Sequence, residues 1–173
     1  MDDDGLGWHE LIGFMYQVRE KLSVVKPDVY PLTLPNPGAT GTKLAAFGDS
    51  LDAQYRDFLG YADGWAEFFR DVYLLGTGDL AGGPAVDAGE RLLDGYFRRA
   101  EVPADFPEKK DLIPIAVGTE DIDVFVLWRT GPVTEGGHPV LWLADEEIDR
   151  FANFREFFLS IHEHLKRSLA EGP

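Results

Sequence analysis

Residues 50–75 read SLDAQYRDFLGYADGWAEFFRDVYLL, and the fold turns on how this stretch divides. Leu51, Tyr55, Phe58, Leu59 and Ala62 recur at helical spacing and make one face apolar. Asp63-Gly64 supplies a stop, because both residue types tolerate the left-handed backbone of a helix end. Trp65, Phe68 and Phe69 crowd the connection that follows, and residues 72–75 read as a short buried strand. A helix, a sharp stop and an aromatic-rich lead into a strand tie two layers together, so the core is expected to centre here.

Upstream, Trp8, Leu11, Ile12, Met15, Val18 and Leu22 mark an amphipathic helix over residues 7–25, with Tyr16 extending the stripe. Residues 1–4 read as a loose acidic start. Pro27, Pro31, Pro35 and Pro37 rule out a helix over residues 26–39 and predict an extended, proline-rich arm. Thr40 is placed to cap a short helix carrying Leu44, Ala45 and Phe47, and Ser50 or Asp52 to open the central one.

Downstream, residues 76–83 read GTGDLAGG, without the spacing or the terminal Lys-Ser/Thr of a phosphate loop, and are expected to be a mobile connection. Asp87 and Glu90 have capping-box spacing before a helix carrying Leu92, Leu93, Tyr96 and Phe97. Strands are predicted over residues 112–117, 122–128 and 139–143. Pro114 marks the first of them as an edge, a bulge or a strand's beginning. Residues 144–149 read as an acidic turn. Asn153 and Glu156 form a second capping box before a last helix buried through Phe154, Phe157, Phe158, Ile161, Leu165 and Leu169. Helices followed by strands joined through short turns predict one α+β domain over residues 1–173: an antiparallel sheet with helices packed mainly on one face.

The 173 residues bury a core of ordinary size, and with no cysteine there is no disulfide or thiolate metal site. No apolar run approaches the length of a membrane helix and no signal-peptide pattern begins the chain, which predicts a cytoplasmic protein. The formal charge is −15, from 31 acidic and 16 basic residues. That balance disfavours nucleic acid as a partner and leaves two readings, solubility or a basic protein partner steered by the field.

The motifs then resemble a family. Leu51-Asp52-Ala53-Gln54-Tyr55-Arg56-Asp57-Phe58-Leu59 is similar to the "LP-x-x-Y-x-x-F-L" helix of the SUKH superfamily, with Leu-Asp where Leu-Pro is usual. Ala62-Asp63-Gly64 resembles its "x-N-G" turn, Leu112-Ile113-Pro114-Ile115-Ala116 the lead into its central hairpin, and Pro139-Val140 with residues 151–159 its late strand and "F-x-x-F-L" helix. Residues 64–103 are longer than the shorter family members. The resemblance implies binding rather than catalysis. Bacterial members look like immunity proteins that neutralise toxins, often nucleases or deaminases, delivered between neighbouring cells. The alternative is an intracellular regulatory or scaffold module like the yeast cell-wall-assembly regulators. No catalytic constellation carries over.

The residues themselves agree with a non-enzymatic reading without a cofactor. His162 and His164 lack the spacing of a zinc helix, and His9 and His138 are isolated. Asp145, Glu146, Glu147 and Asp149 lack the glycine and spacing of a calcium loop. No serine or threonine sits in a nucleophile elbow. Trp128 alternates with Val126 and Val124, and Trp142 with Val140, so both sheet faces are apolar. Helices are expected to cover one face, and the proline-rich arm, weak self-association or a partner the other. The candidate protein-binding surface is therefore Glu120, Asp121 and Asp123 with Asp145, Glu146 and Glu147, framed by Trp128 and Trp142. Its premise is that the two acidic clusters meet.

Overall fold

The computed structural model describes residues 5–172, so the acidic start at residues 1–4 lies outside the described residues. Helix α1, Trp8–Val25, buries Trp8, Leu11, Met15, Arg19 and Leu22 on one face. The arm at residues 26–39 leads to α2, Gly41–Ala45, where the Thr40 hydroxyl accepts from the Lys43 N–H at 3.3 Å. Helix α3, Ala53–Leu59, is capped by Asp52, whose carboxylate accepts from the Tyr55 N–H at 2.8 Å.

Helix α3 ends at Gly60, not at Asp63-Gly64. The arm is the reason. The Leu59 carbonyl accepts from Ala39, Pro37 bridges Ala62, and Asn36 exchanges backbone hydrogen bonds with Asp63 and Gly64. The two chains run so close that a Cβ on Gly38 would meet the Gly60 carbonyl oxygen at 2.0 Å.

The aromatic connection is itself a strand, β1, Trp65–Phe69, paired antiparallel with β2, Val72–Leu74. Trp65 and Phe68 are both buried although strict alternation would separate them. A bulge reconciles this: Glu67 sits at φ 50° and the register shifts between Trp65 and Phe69. The glycine-rich segment predicted to be mobile contains a helical turn, α4, Thr77–Leu80, anchored where the Thr77 hydroxyl donates to Asp63 at 2.7 Å. Helix α5, Pro84–Arg99, starts upstream of Asp87, so Asp87 lies in its first turn and does not cap it. Proline is favoured at that first position, where its missing N–H is not needed.

Four strands follow: β3, Leu112–Gly118; β4, Val124–Trp128; β5, Val140–Leu143; and β6, Glu147–Phe151. The chain closes with α6, Phe154–Ala170, capped by Asn153, which accepts from the Glu156 N–H at 2.9 Å. The acidic segment read as a turn is thus a turn only to Glu146, and Glu147 and Asp149 belong to an edge strand. Its four charges concealed a strand whose pairing to β5 is supplied by the backbone.

The six strands form one antiparallel sheet in sequence order, β1 to β6. Pro114 lies within the sheet, where a register shift between Pro114 and Ala116 absorbs its missing donor. Phe125, Leu127 and Val140 face the main core with α1, α3 and α6, whereas Val124, Val126, Leu141 and Leu143 face Leu93 and Tyr96 of α5. Helices therefore cover both faces. The second face is closed by α5 and Phe106, not by the arm. Helix α5 approaches β3 closely at Gly89, where a Cβ would meet the Pro114 side chain at 2.7 Å. No helix among the described residues is long and apolar enough to cross a membrane.

Candidate protein-binding surface

In a meander, alternate turns share an end of the sheet. Val124 pairs with Leu143, so the β3–β4 turn with Glu120, Asp121 and Asp123 and the β5–β6 turn with Asp145 and Glu146 leave from the same end. The β1–β2 turn, Arg70 and Asp71, joins them there: its Asp71 carboxylate oxygen accepts from the amides of Thr119 at 2.9 Å, Glu120 at 2.8 Å and Asp121 at 3.2 Å. One carboxylate thus shapes the β3–β4 turn. Partial burial pushes the Asp71 pKa upward, but the three amides outweigh burial and leave it below the ordinary value. A depressed carboxylate stabilises the fold at pH values above the unfolded pKa of about 3.9, and that contribution is lost as the pH falls through the folded pKa. The melting-point gap between wild type and Asp71→Ala should accordingly be constant near neutrality and close below about pH 4; thermal melts from pH 7 to pH 2 test it.

Trp142 belongs to this end. Its indole N–H donates to Asp123 at 2.7 Å, its ring stacks on Phe125 at 5.0 Å, and Phe69 meets it edge-on at 6.0 Å. Trp128 does not. It lies at the far end of β4, on the α5 side of the sheet, with its indole N–H donating to Thr130 and the Arg150 guanidinium 5.6 Å above its ring. The two tryptophans therefore do not frame one surface, because their alternation places them on opposite faces. Trp142 faces the main core beside Phe125 and Trp128 faces the α5 side.

The acidic residues also differ in their pairing. Asp145 pairs with Arg99 at 3.1 Å, and Glu147 holds Arg150 through two hydrogen bonds of 2.6 and 2.9 Å. Among the described residues Glu120, Asp121 and Glu146 form no ion pair. Tyr96, Arg99, Glu101 and the β5–β6 turn line a cleft of about 350 Å³.

The histidines are dispersed. The backbone N–H of His138 donates to Asp52, and the His164 ring meets Phe69 edge-on at 5.1 Å, its pKa lowered by burial and then by Arg167 and Arg70. No group of three or more histidine, aspartate or glutamate side chains among the described residues is placed to hold a metal ion.

The chain matches no family model and no curated protein.

Two features escaped the sequence reading. Arg19 is buried, 1% exposed, and donates to the carbonyls of Thr33 at 3.0 Å, Pro31 at 2.9 Å and Glu67 at 2.6 Å. Burial lowers its pKa to about 10 against the opposing pull of Glu67, so it remains charged at neutral pH. The signal was present, since Arg19 falls four residues after Met15 and three before Leu22, inside the apolar stripe. The second is a cleft of about 230 Å³ between the arm and the sheet end, lined by Asp28, Val29, Pro31, Glu67, Arg70, Asp71 and the β3–β4 turn. No local pattern marked it, because its walls come from three separate parts of the chain.

Proposed function

We propose that this chain is a SUKH-like protein-binding domain that acts as an immunity protein, neutralising a cognate toxin by occupying it, with a basic nuclease or a deaminase as the expected class. It works without chemistry or a cofactor of its own. The observation that carries the reading is the convergence of the β1–β2, β3–β4 and β5–β6 turns at one end of the sheet, where Glu120, Asp121 and Glu146 form no ion pair among the described residues. Like charges held close raise the energy of the free protein, and a basic partner relieves it and associates faster.

The test is coexpression with the products of adjacent genes. A neighbouring gene toxic alone and harmless with this chain, with a complex recovered by pull-down, supports the reading; absence of both rescue and complex sinks it. Triple reversal Glu120→Lys, Asp121→Lys and Glu146→Lys should slow association at least tenfold at low salt and flatten its salt dependence, leaving the dissociation rate nearly unchanged. Asp145 and Glu147 are poorer probes, because reversing them also breaks their pairs with Arg99 and Arg150. Titration separates immunity from a scaffold module of the cell-wall-regulator kind. One nanomolar partner fits immunity, and several weak ones fit a scaffold.

A further inference from the structure

The arm tracks β1 from outside, antiparallel to it. Asn36 bonds to Gly64, the Thr33 hydroxyl donates to the Ala66 carbonyl at 2.6 Å, and Arg19 joins Pro31 and Thr33 to Glu67. Pro31, Thr33 and Pro35 are half-buried while Leu32 and Leu34 are exposed, the alternation of an extended chain. Arg19 holds the inner carbonyls, so this exposure belongs to a segment locked in place. Leu32 is 46% exposed, Leu34 68% and Val29 44%, a concentration of apolar side chains in water within a few residues. Neither the amides nor the carbonyls of Leu32 and Leu34 take part in a backbone hydrogen bond among the described residues. The arm thus adds an outer edge beyond β1 that has apolar side chains and unused backbone groups.

Charge decides what this edge suits. At its N-terminal end the arm opens on the cleft lined by Asp28, Glu67, Glu120 and Asp121, none of which forms an ion pair among the described residues; Asp71 is occupied by the three turn amides, and Arg70 also lines the cleft. Apolar side chains beside a cleft whose carboxylates outnumber its one arginine complement a segment whose own residues alternate between apolar and basic.

We propose that the outer edge of the arm docks an extended segment of a basic protein, which pairs with the backbone of Leu32 and Leu34, rests apolar side chains on Val29, Leu32 and Leu34, and sends a lysine or arginine into the cleft of Asp28, Glu67, Glu120 and Asp121. Strand addition gives affinity through main-chain bonds and selectivity through alternate side chains. The proposal rests on the protein-binding reading above and names a surface for it.

The probes are three synthetic peptides added to the full chain at low salt: alternating lysine–leucine, alternating glutamate–leucine, and oligolysine. Amide chemical shifts and hydrogen exchange are followed by NMR. The lysine–leucine peptide should shift residues 28–34, 67–71 and 119–121 and slow exchange of the Leu32 and Leu34 amides; the other two should give no such protection. The double variant Leu32→Ser/Leu34→Ser, which removes the apolar side chains without adding charge, should raise the peptide Kd at least tenfold while melting within a few degrees of wild type. Shifts confined to residues 144–147, no binding, or a Kd indifferent to the double variant would overturn the docking site. Concentration-dependent protection of the two leucine amides without peptide would assign the edge to a second copy and overturn it as well. A toxin complex that survives the double variant removes the arm alone. Peptide binding at the arm with no toxin complex removes the immunity reading alone.

Discussion

Arg19→Ala is expected to destabilise the fold by about 3–5 kcal/mol, because two carbonyls lose their only charged donor and a hydrogen bond to a charged group contributes about 1.5–3 kcal/mol. Three carbonyls from two separated segments depend on this side chain, and its guanidinium also lies 5.3 Å from the Trp65 ring centroid. Removing it leaves the carbonyls of Pro31 and Glu67 without their charged donor; the Thr33 carbonyl keeps only the longer bond from the Trp65 indole at 3.3 Å. For a chain of this size each kcal/mol shifts the melting point by about 2–4 °C, so a fall of roughly 10 °C is expected. Arg19→Met isolates the hydrogen-bond share, since it fills much of the volume without a donor. It should remain well below wild type, because each buried unsatisfied carbonyl costs about 1–3 kcal/mol. Limited proteolysis supplies a local readout: in both variants cleavage should move to residues 28–36 before the global transition. A melting point for Arg19→Ala within about 2 °C of wild type would mean that the arm is held by its Asn36 and Pro37 contacts instead.

Trp142→Ala is the second large loss, about 3–5 kcal/mol, as for other truncations of a packed tryptophan. The half-buried ring packs against Phe125 and Phe69 at the margin of the main core and its N–H donates to Asp123, so truncation uncovers both phenylalanines and frees the β3–β4 turn. Trp128→Ala should cost distinctly less. Both rings are half-buried, but Trp128 has no aromatic ring stacked on it among the described residues, and its polar contacts are with Thr130 and Arg150, where a cation–π contact at an exposed position contributes about 0.5–1 kcal/mol. Paired thermal melts of the two variants test the contrast. Equal losses would contradict the assignment of the two rings to different environments. The contrast bears on function, because a weakened complex in Trp142→Ala would report a disordered turn rather than a lost contact, whereas Glu146→Lys leaves the core untouched.

The main elements were legible in the residues. The apolar stripes of α1, α5 and α6 have helical spacing, the caps at Thr40, Asp52 and Asn153 are local hydrogen bonds, and β4 and β5 are short apolar runs. Local chemistry determines such features, and local chemistry is what a sequence displays. The misread boundaries lie where a distant segment competes with the local preference. Helix α3 ends early because the arm captures the Leu59 carbonyl, and β1 keeps Trp65 and Phe68 on the inside only through the bulge at Glu67. Strand β6 hides three charges in an edge strand because only one of its sides must pair.

The candidate surface divides in the same way. The residues alone establish the acidic excess, the absence of cysteine, an α+β order of elements, and the residue types at each turn. Packing across the chain settled which turns share an end, that Trp142 joins them while Trp128 faces the opposite side, and that Asp145 and Glu147 are paired while, among the described residues, Glu120, Asp121 and Glu146 are not. Strand order is settled by the free energy of burying both sheet faces at once. Pairing is settled by which side chains that packing brings within a few ångströms. Both depend on contacts between residues far apart in the chain, such as Asp71 with the amides of the β3–β4 turn and Arg19 with the arm, and no periodicity or spacing along the sequence encodes them.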